Sequence, residues 1–342
     1  MPTLPAKELE RVTRDIFIAW GTPPDDAAWV ATLLVRANLR GHDSHGVIRV
    51  PGYVAAIEKG DVNPRAKIAV DAESPVIARL DGDQGFGQVV AKRGITMAIE
   101  KAKAQGLGAV TLRRTNHVGR LADYAEMAAE QGLVGMLWVN APMALNVAPW
   151  GGAARRLGTN PHAVAVPGPN GSVAMSFDMA TSVWAEGKLR VKYARGEECP
   201  PGIMLNGRGE PSTDPRQYYA DPVGSLLTAG GHKGSGLSLV VEVLAGILSG
   251  TGPARPEKGP GVNGAFMLCL DVARFLPPDE FHASLKSLVD WVRSAPLASG
   301  SEEILIPGEP EARTMRDRLA KGVPVEDETW KRIEACAAAK HI

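Results

Sequence analysis

Cysteine is scarce in this sequence, and membrane-spanning patterns are missing from it. The three cysteines, Cys199, Cys269 and Cys336, are scattered and odd in number, which is typical of reduced thiols and matches no zinc-ligand spacing. The N-terminal residues lack the apolar core of a signal peptide, and no apolar run is long enough to span a bilayer. We therefore expect a cytoplasmic protein without a membrane segment.

The sequence also lacks an excess of charge of either sign. Its 38 basic and 38 acidic side chains balance, so the composition gives no basic face of the kind that binds nucleic acid. Five tyrosines and six phenylalanines stand against 38 glycines, which indicates a core of small aliphatic side chains with many tight turns. With 342 residues, 44% of them hydrophobic, the chain can bury a large core, and we expect two subdomains.

The glycine fingerprint of Rossmann dinucleotide-binding domains, Gly-x-Gly-x-x-Gly, is absent. The stretch Gly82-x-x-Gly85-x-Gly87 has the reversed spacing, which predicts a strand-to-helix turn and no phosphate site. A second stretch, Gly230–Gly236, carries Lys233 and opens an apolar helix. Backbone donors and the helix dipole at such a point bind phosphate, although the spacing fits a closely packed turn as well.

Helical patterns occupy the first part of the sequence, and strands alternate with helices from about residue 76. Residues 7–40 predict two helices split at 21–24, with Thr22 as a cap and Pro23 or Pro24 at the first helical position. A third short helix is predicted over 51–59. The segment 252–264 is predicted to be an exposed loop. Further helices are expected at 88–105, 119–131, 235–249, 279–293 and 326–339, and strands near 76–80, 108–113, 134–140, 163–167, 173–178 and 265–270. The alternation indicates a sheet covered by helices, α/β or α+β.

The segment from Arg40 to Arg49 combines a proton-transfer group, a hydroxyl and a guanidinium. Ser44 and His45 follow the predicted end of a helix at Gly41, and Arg49 stands four residues after His45. Histidine moves protons near neutral pH, and arginine binds a carboxylate through two parallel hydrogen bonds. The pattern suits an acid substrate with a carbonyl or hydroxyl beside its carboxylate. It fits a polar surface at a helix–loop junction equally well.

Two further polar clusters lie at predicted strand ends. Asn116-His117 stands between a strand and a helix, and Asp178–Ser182 follows a strand where functional loops are common. Capping, solvent exposure or a plain polar turn would explain these residues too. His42 and His45 together do not predict a metal site, because no carboxylate or cysteine cluster completes the ligand set.

In their order along the chain, these motifs resemble the malate/L-lactate dehydrogenase family, a non-Rossmann group that includes ureidoglycolate dehydrogenase and 2,3-diketogulonate reductase. The resemblance covers about residues 5–340. Its markers are Gly41–Arg49, Asn116-His117, Pro149–Gly152, Leu157–Pro161, Asp178–Ser182, Gly187-Lys188, His232–Gly234 and Leu305–Glu309. The resemblance implies an α+β fold with a seven-stranded, mostly antiparallel mixed sheet and a helical portion built from both termini. We accordingly expect an N-terminal helical segment (1–75), an NAD(P)-binding domain (76–275) and a C-terminal helical segment (276–342).

The resemblance also implies roles for individual residues. His45 matches the proton donor, with Ser44 orienting it, while His117 matches the proton acceptor of ureidoglycolate dehydrogenase, so two histidines compete for one role. The implied substrate ligands are Arg49, Tyr53, Thr159 and Asn160. The implied cofactor is NAD or NADP, bound by Ala174, Met175, Ser176, Phe177, Asp178, Met179, Ala180, His232, Lys233, Gly308 and Glu309. No metal is implied, and the active form is expected to be a homodimer with its site near the subunit interface.

The implied activity is hydride transfer between NAD(P) and a 2-hydroxy or 2-oxo acid, with broad specificity. Reduction of a cyclic imino acid, such as pyrroline- or piperideine-2-carboxylate, would use the same carboxylate contact and remains an alternative. A catalytically idle dimer that binds nucleotides is an alternative of a different class. We expect a small carboxylate as the partner, and neither nucleic acid nor a membrane.

Overall fold

The computed structural model describes residues 2–255 and 262–342; residues 256–261 of the predicted loop 252–264 lie outside them. The helices are α1 (Ala6–Ala19), α2 (Pro24–Leu39), α3 (Val50–Glu58), α4 (Gly87–Gln105), α5 (Ala122–Ala129), α6 (Glu186–Arg195), α7 (Arg216–Tyr219), α8 (His232–Val241), α9 (Pro278–Arg293), α10 (Glu309–Lys321) and α11 (Asp327–Ala338). The strands are β1 (Thr3–Leu4), β2 (Ala69–Glu73), β3 (Ile77–Gly85), β4 (Leu107–Thr115), β5 (Leu133–Asn140), β6 (His162–Pro167), β7 (Val173–Met179), β8 (Met204–Leu205), β9 (Pro211–Ser212), β10 (Ser225–Leu226), β11 (Asn263–Asp271) and β12 (Val323–Pro324).

A seven-stranded mixed sheet forms the centre of the molecule, in the order β2-β3-β4-β11-β5-β6-β7. The pair β3–β4 is parallel and the other pairs are antiparallel, which confirms the expected fold class. Helices α4 and α5 cover the sheet with small apolar side chains, and the shared core includes Ala91, Ala98, Ala125 and Ala128. The core therefore has the small aliphatic character that the composition indicates.

Both ends of the chain contribute to one helical portion, as expected. Strand β1 pairs with β12, and Leu9 and Phe17 of α1 share a buried cluster with Ile333 of α11. Helix α2 begins with Pro24, whose fixed φ suits a first helical position. The prediction that Thr22 caps this helix is wrong: Pro23 holds the cap position without a side-chain hydrogen bond.

Two predicted boundaries differ from the structure. The turn predicted after residue 80 is part of β3, which bends at Asp83 and Gln84, both with positive φ, and pairs again with β4 at Gly85. Helix α8 begins at His232, three residues before the predicted start at 235, and continues as a π-helical stretch over Glu242–Ile247. The division of the chain at residues 75 and 275 stays a prediction; strand β2, which precedes residue 75, forms an edge of the main sheet.

Candidate active site

The segment after α2 is fixed by one buried asparagine. The side chain of Asn38 accepts a hydrogen bond from the backbone N–H of Val47 at 2.8 Å and donates to Asp43 at 2.6 Å. Arg318 of α10 pairs with the same Asp43 carboxylate, Nη2 to Oδ2 at 3.0 Å. Any side chain at Gly46 would overlap Asn38. The two 3₁₀ turns that carry the candidate residues, Asp43–His45 and Val47–Arg49, are therefore held by α2 on one side and α10 on the other.

The structure brings His45 and His117 together. Their rings stack with centroids 5.5 Å apart and planes inclined by 26°. Ser44 Oγ lies 3.0 Å from Nδ1 of His45, and Tyr53 Oη lies 2.7 Å from Nδ1 of His117. Each histidine thus has a hydroxyl partner on one ring nitrogen.

The loop that carries His117 is held by the glycine-rich bend before α4. Asn116 Nδ2 donates to the carbonyl of Gln84 at 2.6 Å, and a Cβ at Gly87 would overlap the His117 carbonyl. Gly82 and Gly85 also lie too close to neighbouring atoms to accept a side chain. These glycines allow close backbone packing that positions His117.

Arg49 lies beside the histidine pair with most of its donors open. Its Nε donates to the carbonyl of Ser44 at 2.7 Å, and its two Nη groups have no hydrogen-bond partner within residues 2–255 and 262–342. The side chain is exposed. A fixed guanidinium with a free pair of Nη donors can bind a carboxylate.

Burial and positive charge keep both histidines neutral. Burial, then Arg49, His42 and Arg120, lowers the pKa of His45 from its usual 6.5 to about 3. Burial, followed by Arg49 and His45, lowers the pKa of His117 well below its usual value. At neutral pH each ring is therefore uncharged and offers one donor and one acceptor. A carboxylate bound to Arg49 would cancel part of the charge that disfavours protonation of His45.

Beneath the site lies a buried ionic cluster, which the sequence analysis missed. Arg120 is 5% exposed, and its guanidinium donates to Asp123 at 2.8 Å and to Glu126 at 3.0 Å. Arg36 of α2 and Arg40, the residue that caps the C-terminal end of this helix, pair with Glu126 as well. The signal was the i, i+3 and i, i+4 spacing of these charges on α5 and α2. The cluster joins α2 to α5, and its arginines are occupied by carboxylates.

Three of the predicted cofactor segments adjoin one another. The backbone N–H of Ser176 in β7 donates to Pro307 at 3.0 Å, and Gly308, with φ +98°, packs against Ser176. At the far end of β7, Thr181 accepts the N–H of Ala229, just before the Lys233 loop. The 174–180, 232–233 and 308–309 segments therefore lie along one edge of the sheet.

Asp178 anchors this edge to α5. Its Oδ2 accepts the N–H of Ala122 at 2.9 Å, and burial raises its pKa to about 6. His232 and Lys233 form the first turn of α8, after two glycines with positive φ. The N–H groups of Lys233, Gly234 and Ser235 already donate to the carbonyls of residues 229–231, so the feature of this turn that fits a phosphate is the exposed Lys233 ammonium together with the helix dipole.

A cavity of about 660 Å³ borders the Lys233 loop. Its wall includes Gly230, Gly231 and Trp150, a tryptophan that is 65% exposed and whose ring centroid lies 6.3 Å from that of His232. No residue of the 44–53 segment or the 116–120 loop lines it.

Thr159 and Asn160 support α8. The Asn160 amide is buried and donates to Glu242 at 2.7 Å and to Ser238 Oγ at 2.9 Å. The Thr159 carbonyl accepts the N–H of Thr181 at 2.8 Å. Their predicted contact with substrate stays a prediction, as do the other assigned roles.

In the described ranges 2–255 and 262–342, no three His, Cys, Asp or Glu side chains are grouped to hold a metal ion. The cysteines are unpaired. None of the helices described is both long and apolar enough to cross a membrane.

Residues 4–334 match the family model described as malate/L-lactate dehydrogenase. The chain belongs to this family. Among curated relatives, malate dehydrogenase from Pyrococcus abyssi is 39% identical over 94% of this chain and 90% of its own length. Hydroxycarboxylate dehydrogenase B from Escherichia coli is 36% identical over 98% of this chain and 93% of its own.

Solved structures agree with the family assignment. Malate dehydrogenase from Pyrococcus horikoshii superposes with a TM-score of 0.90 at 36% identity, covering 100% of this chain and 96% of the other. Δ1-piperideine-2-carboxylate reductase from Pseudomonas syringae gives 0.84 at 28% identity, covering 98% and 100%. The recognition made from the motifs is thus confirmed, and the chain is an oxidoreductase of the malate/L-lactate dehydrogenase family.

Proposed function

We propose that this protein is an NAD(P)-dependent dehydrogenase that interconverts 2-hydroxy acids and 2-oxo acids. The observation that carries the proposal is the stacked, neutral pair His45 and His117 beside Arg49, whose Nη donors are open. The names of the curated relatives, malate dehydrogenase and hydroxycarboxylate dehydrogenase B, support this substrate class.

The position of each side chain indicates its role in the reaction. Arg49 binds the substrate carboxylate and so places C2 and its oxygen next to the two rings. In oxidation, neutral His45 accepts the hydroxyl proton, with Ser44 holding its Nδ1 at 3.0 Å. In reduction, His45 returns that proton to the carbonyl oxygen. When bound, the nicotinamide accepts or supplies the hydride at C2.

The edge formed by β7 fits a dinucleotide. Backbone from Ala174 to Ala180, the first turn of α8 with Lys233, and Gly308-Glu309 adjoin there, as described above. The Lys233 ammonium and the positive end of the α8 dipole suit the pyrophosphate. The Gly82–Gly87 bend is filled by neighbouring backbone and side chains, so it has no part in this site.

A second copy of the chain is proposed as the protein's partner. The outer face of α8 and its extension exposes large apolar side chains. They are Leu239, Val240, Val243, Ile247 and Leu248. Exposed apolar patches of this kind mark interfaces, and this one begins two turns after Lys233. A homodimer would cover the patch and place the interface close to the nucleotide segment.

The three unpaired cysteines support a location in a reducing compartment, the cytoplasm.

A substrate panel tests the activity. Oxidation of NADH and of NADPH is followed with glyoxylate, phenylpyruvate and other 2-oxo acids. Consumption of either cofactor with oxo acids is the expected result. If neither cofactor is consumed with any 2-oxo acid, the proposal fails; cofactor binding without turnover of any compound in the panel would favour the idle nucleotide binder.

Reduction of a cyclic imino acid is the second candidate, supported by the similarity to the Pseudomonas syringae reductase. Arg49 would bind the carboxylate of pyrroline-2-carboxylate in the same way. The same panel therefore includes this compound. Turnover of the imino acid well above that of every oxo acid would replace the first candidate with the second.

A further inference from the structure

The hydroxyl of Tyr53 lies between two polar side chains in the interior. Gln88 Nε2 donates to it at 2.9 Å, and on its other side Nδ1 of His117 lies at 2.7 Å. Gln88 is fully buried, and Tyr53 is 9% exposed. Buried hydrogen bonds of this kind fix the groups that make them, because a lost partner is costly.

Gln88, Tyr53 and His117 form a hydrogen-bonded series, and the number of protons in it determines the tautomer of His117. A phenol has a single proton. Gln88 donates to the oxygen, and within residues 2–255 and 262–342 the one other partner of the hydroxyl is Nδ1 of His117. The Tyr53 proton, which would otherwise be buried without an acceptor, is therefore directed to Nδ1, and Nδ1 acts as the acceptor. A neutral imidazole has one N–H, so the proton of His117 lies on Nε2. Burial raises the pKa of Tyr53 to about 12 and, with the nearby positive charges, lowers that of His117, so neither group ionises near neutral pH.

His45 has a different kind of partner. The Ser44 hydroxyl at its Nδ1 can rotate and either donate or accept. It therefore tolerates His45 with and without a second proton, as a group that transfers protons requires. The Tyr53 hydroxyl beside His117 has only one orientation available, because the Gln88 N–H occupies its other side.

We propose that Gln88 and Tyr53 are positioning residues that hold His117 in the Nε2–H tautomer, so that His117 donates a hydrogen bond to the reacting oxygen and His45 alone transfers the proton. This rests on the proposed 2-hydroxy acid dehydrogenase activity and assigns the two histidines separate roles. The Tyr53 hydroxyl, expected from the family resemblance to bind substrate, acts through His117 instead. A carbonyl oxygen accepts the Nε2–H, whereas the nitrogen of a protonated cyclic imine has no lone pair to do so.

The tautomer can be read directly on the free protein. Isotope-labelled histidine nitrogens are observed by NMR, with the His117 signals assigned from a His117→Gln variant. The wild-type protein should show His117 protonated on Nε2. Tyr53→Phe should convert it to a mixture of tautomers and lower kcat by about 10- to 100-fold, the range found when a metal-bound histidine loses its orienting partner, with NAD(P)H affinity unchanged.

Two variants keep the test decisive. Tyr218→Phe makes the same change at a buried tyrosine of another core cluster and should alter neither tautomer nor kcat. Gln88→Met removes the donor but leaves the Tyr53 hydroxyl in place, and should also yield mixed tautomers of His117.

A wild-type His117 protonated on Nδ1 would overturn the proposal, and so would a Tyr53→Phe variant with an unchanged tautomer and only a raised KM. Because the NMR measurement needs no substrate, an enzyme inactive on every 2-oxo acid would disprove the proposed activity and leave the tautomer measurable.

Discussion

At the residue scale, His45 and Arg49 are coupled through charge. Arg49 is fixed to the Ser44 carbonyl, so its positive charge stays next to His45 and lowers the pKa of that ring. A bound carboxylate neutralises the guanidinium and makes protonation of His45 easier. The ion pair between Arg49 and the substrate carboxylate therefore links substrate binding to the protonation of His45.

Replacing His45 with alanine should remove the proton-transfer group. Turnover is expected to fall by about 100-fold or more, the usual contribution of a general acid or base, while NAD(P)H affinity stays near that of the wild type. Steady-state kinetics and fluorescence titration with cofactor measure the two quantities. Near-normal turnover in this variant, together with an inactive His117→Ala, would move the role to His117.

Arg49→Lys keeps the charge but removes the planar pair of donors that matches a carboxylate. The KM for oxo acids should rise roughly tenfold, equivalent to about 1.4 kcal/mol. Arg65→Lys is a suitable control, because Arg65 is also exposed and also donates through Nε to a backbone carbonyl. An unchanged KM in Arg49→Lys would mean that another group binds the carboxylate.

The lowered pKa of His45 predicts how stability changes with pH. The unfolded chain takes up the proton near pH 6.5, while the folded protein takes it up only near pH 3. The contribution of His45 to stability is therefore fully present above pH 6.5 and is lost as the pH falls toward 3. His45→Gln should lose less stability than the wild type between about pH 7 and pH 5.

Urea unfolding at both pH values measures this difference. The matched control is His341→Gln at the exposed C-terminal end, which should follow the wild type. Equal losses in wild type and His45→Gln would show that His45 is not held neutral by the fold.

At the scale of elements, the first turn of α8 carries the prediction about the cofactor. Lys233→Ala should raise the Kd for NAD(P)H about tenfold, the effect of losing one charge-assisted hydrogen bond. Lys286→Ala, on the exposed face of α9, should leave Kd unchanged. A cofactor-bound structure with pyrophosphate over Gly82, Gly85 and Gly87 would contradict the assignment.

Elements with a strong apolar period were predictable from the sequence. Helix α4 ends at Gly106 with positive φ, as predicted, and the alternating strands β5 and β6 were found within a residue or two. Helices α6 and α10 were missed because charged residues interrupt their apolar positions, with five in α6 and seven in α10; α9, which buries no residue either, was predicted from its apolar face. Strand β2 was missed because all five of its residues are exposed.

Of the site, local patterns pointed to the 40–49 segment and to Asn116-His117 separately, but they did not predict that the two meet. The stacking of His117 on His45 depends on β4, α4 and the Asn116 contacts, which join distant parts of the chain. Likewise, no pattern connects Gln88 with Tyr53, 35 residues apart. The ionic cluster was missed for a different reason, since charged side chains are expected at surfaces unless their partners are known.

At the scale of the whole molecule, the apolar face of α8 and its extension predicts the oligomeric state. Val243, 52% exposed, lies within it. Val243→Asp should weaken the dimer, because a charge would be buried without a partner. Size-exclusion chromatography with light scattering measures this. Val223→Asp, equally exposed in a loop, should remain dimeric, and a monomeric wild type would refute the prediction.

The pairing of Arg318 with Asp43 has a consequence for synthesis on the ribosome. The two residues lie 275 positions apart, so the segment that carries Ser44 and His45 leaves the exit tunnel long before the helix that clamps it. Strand β1 likewise finds β12 only at the end of translation. A nascent chain stopped short of α10 contains the strands of the central sheet and both histidines, but its 43–47 segment is held by Asn38 without Arg318. We therefore expect the site to reach its final geometry only in the last stage of synthesis, when the C-terminal residues return to the N-terminal ones.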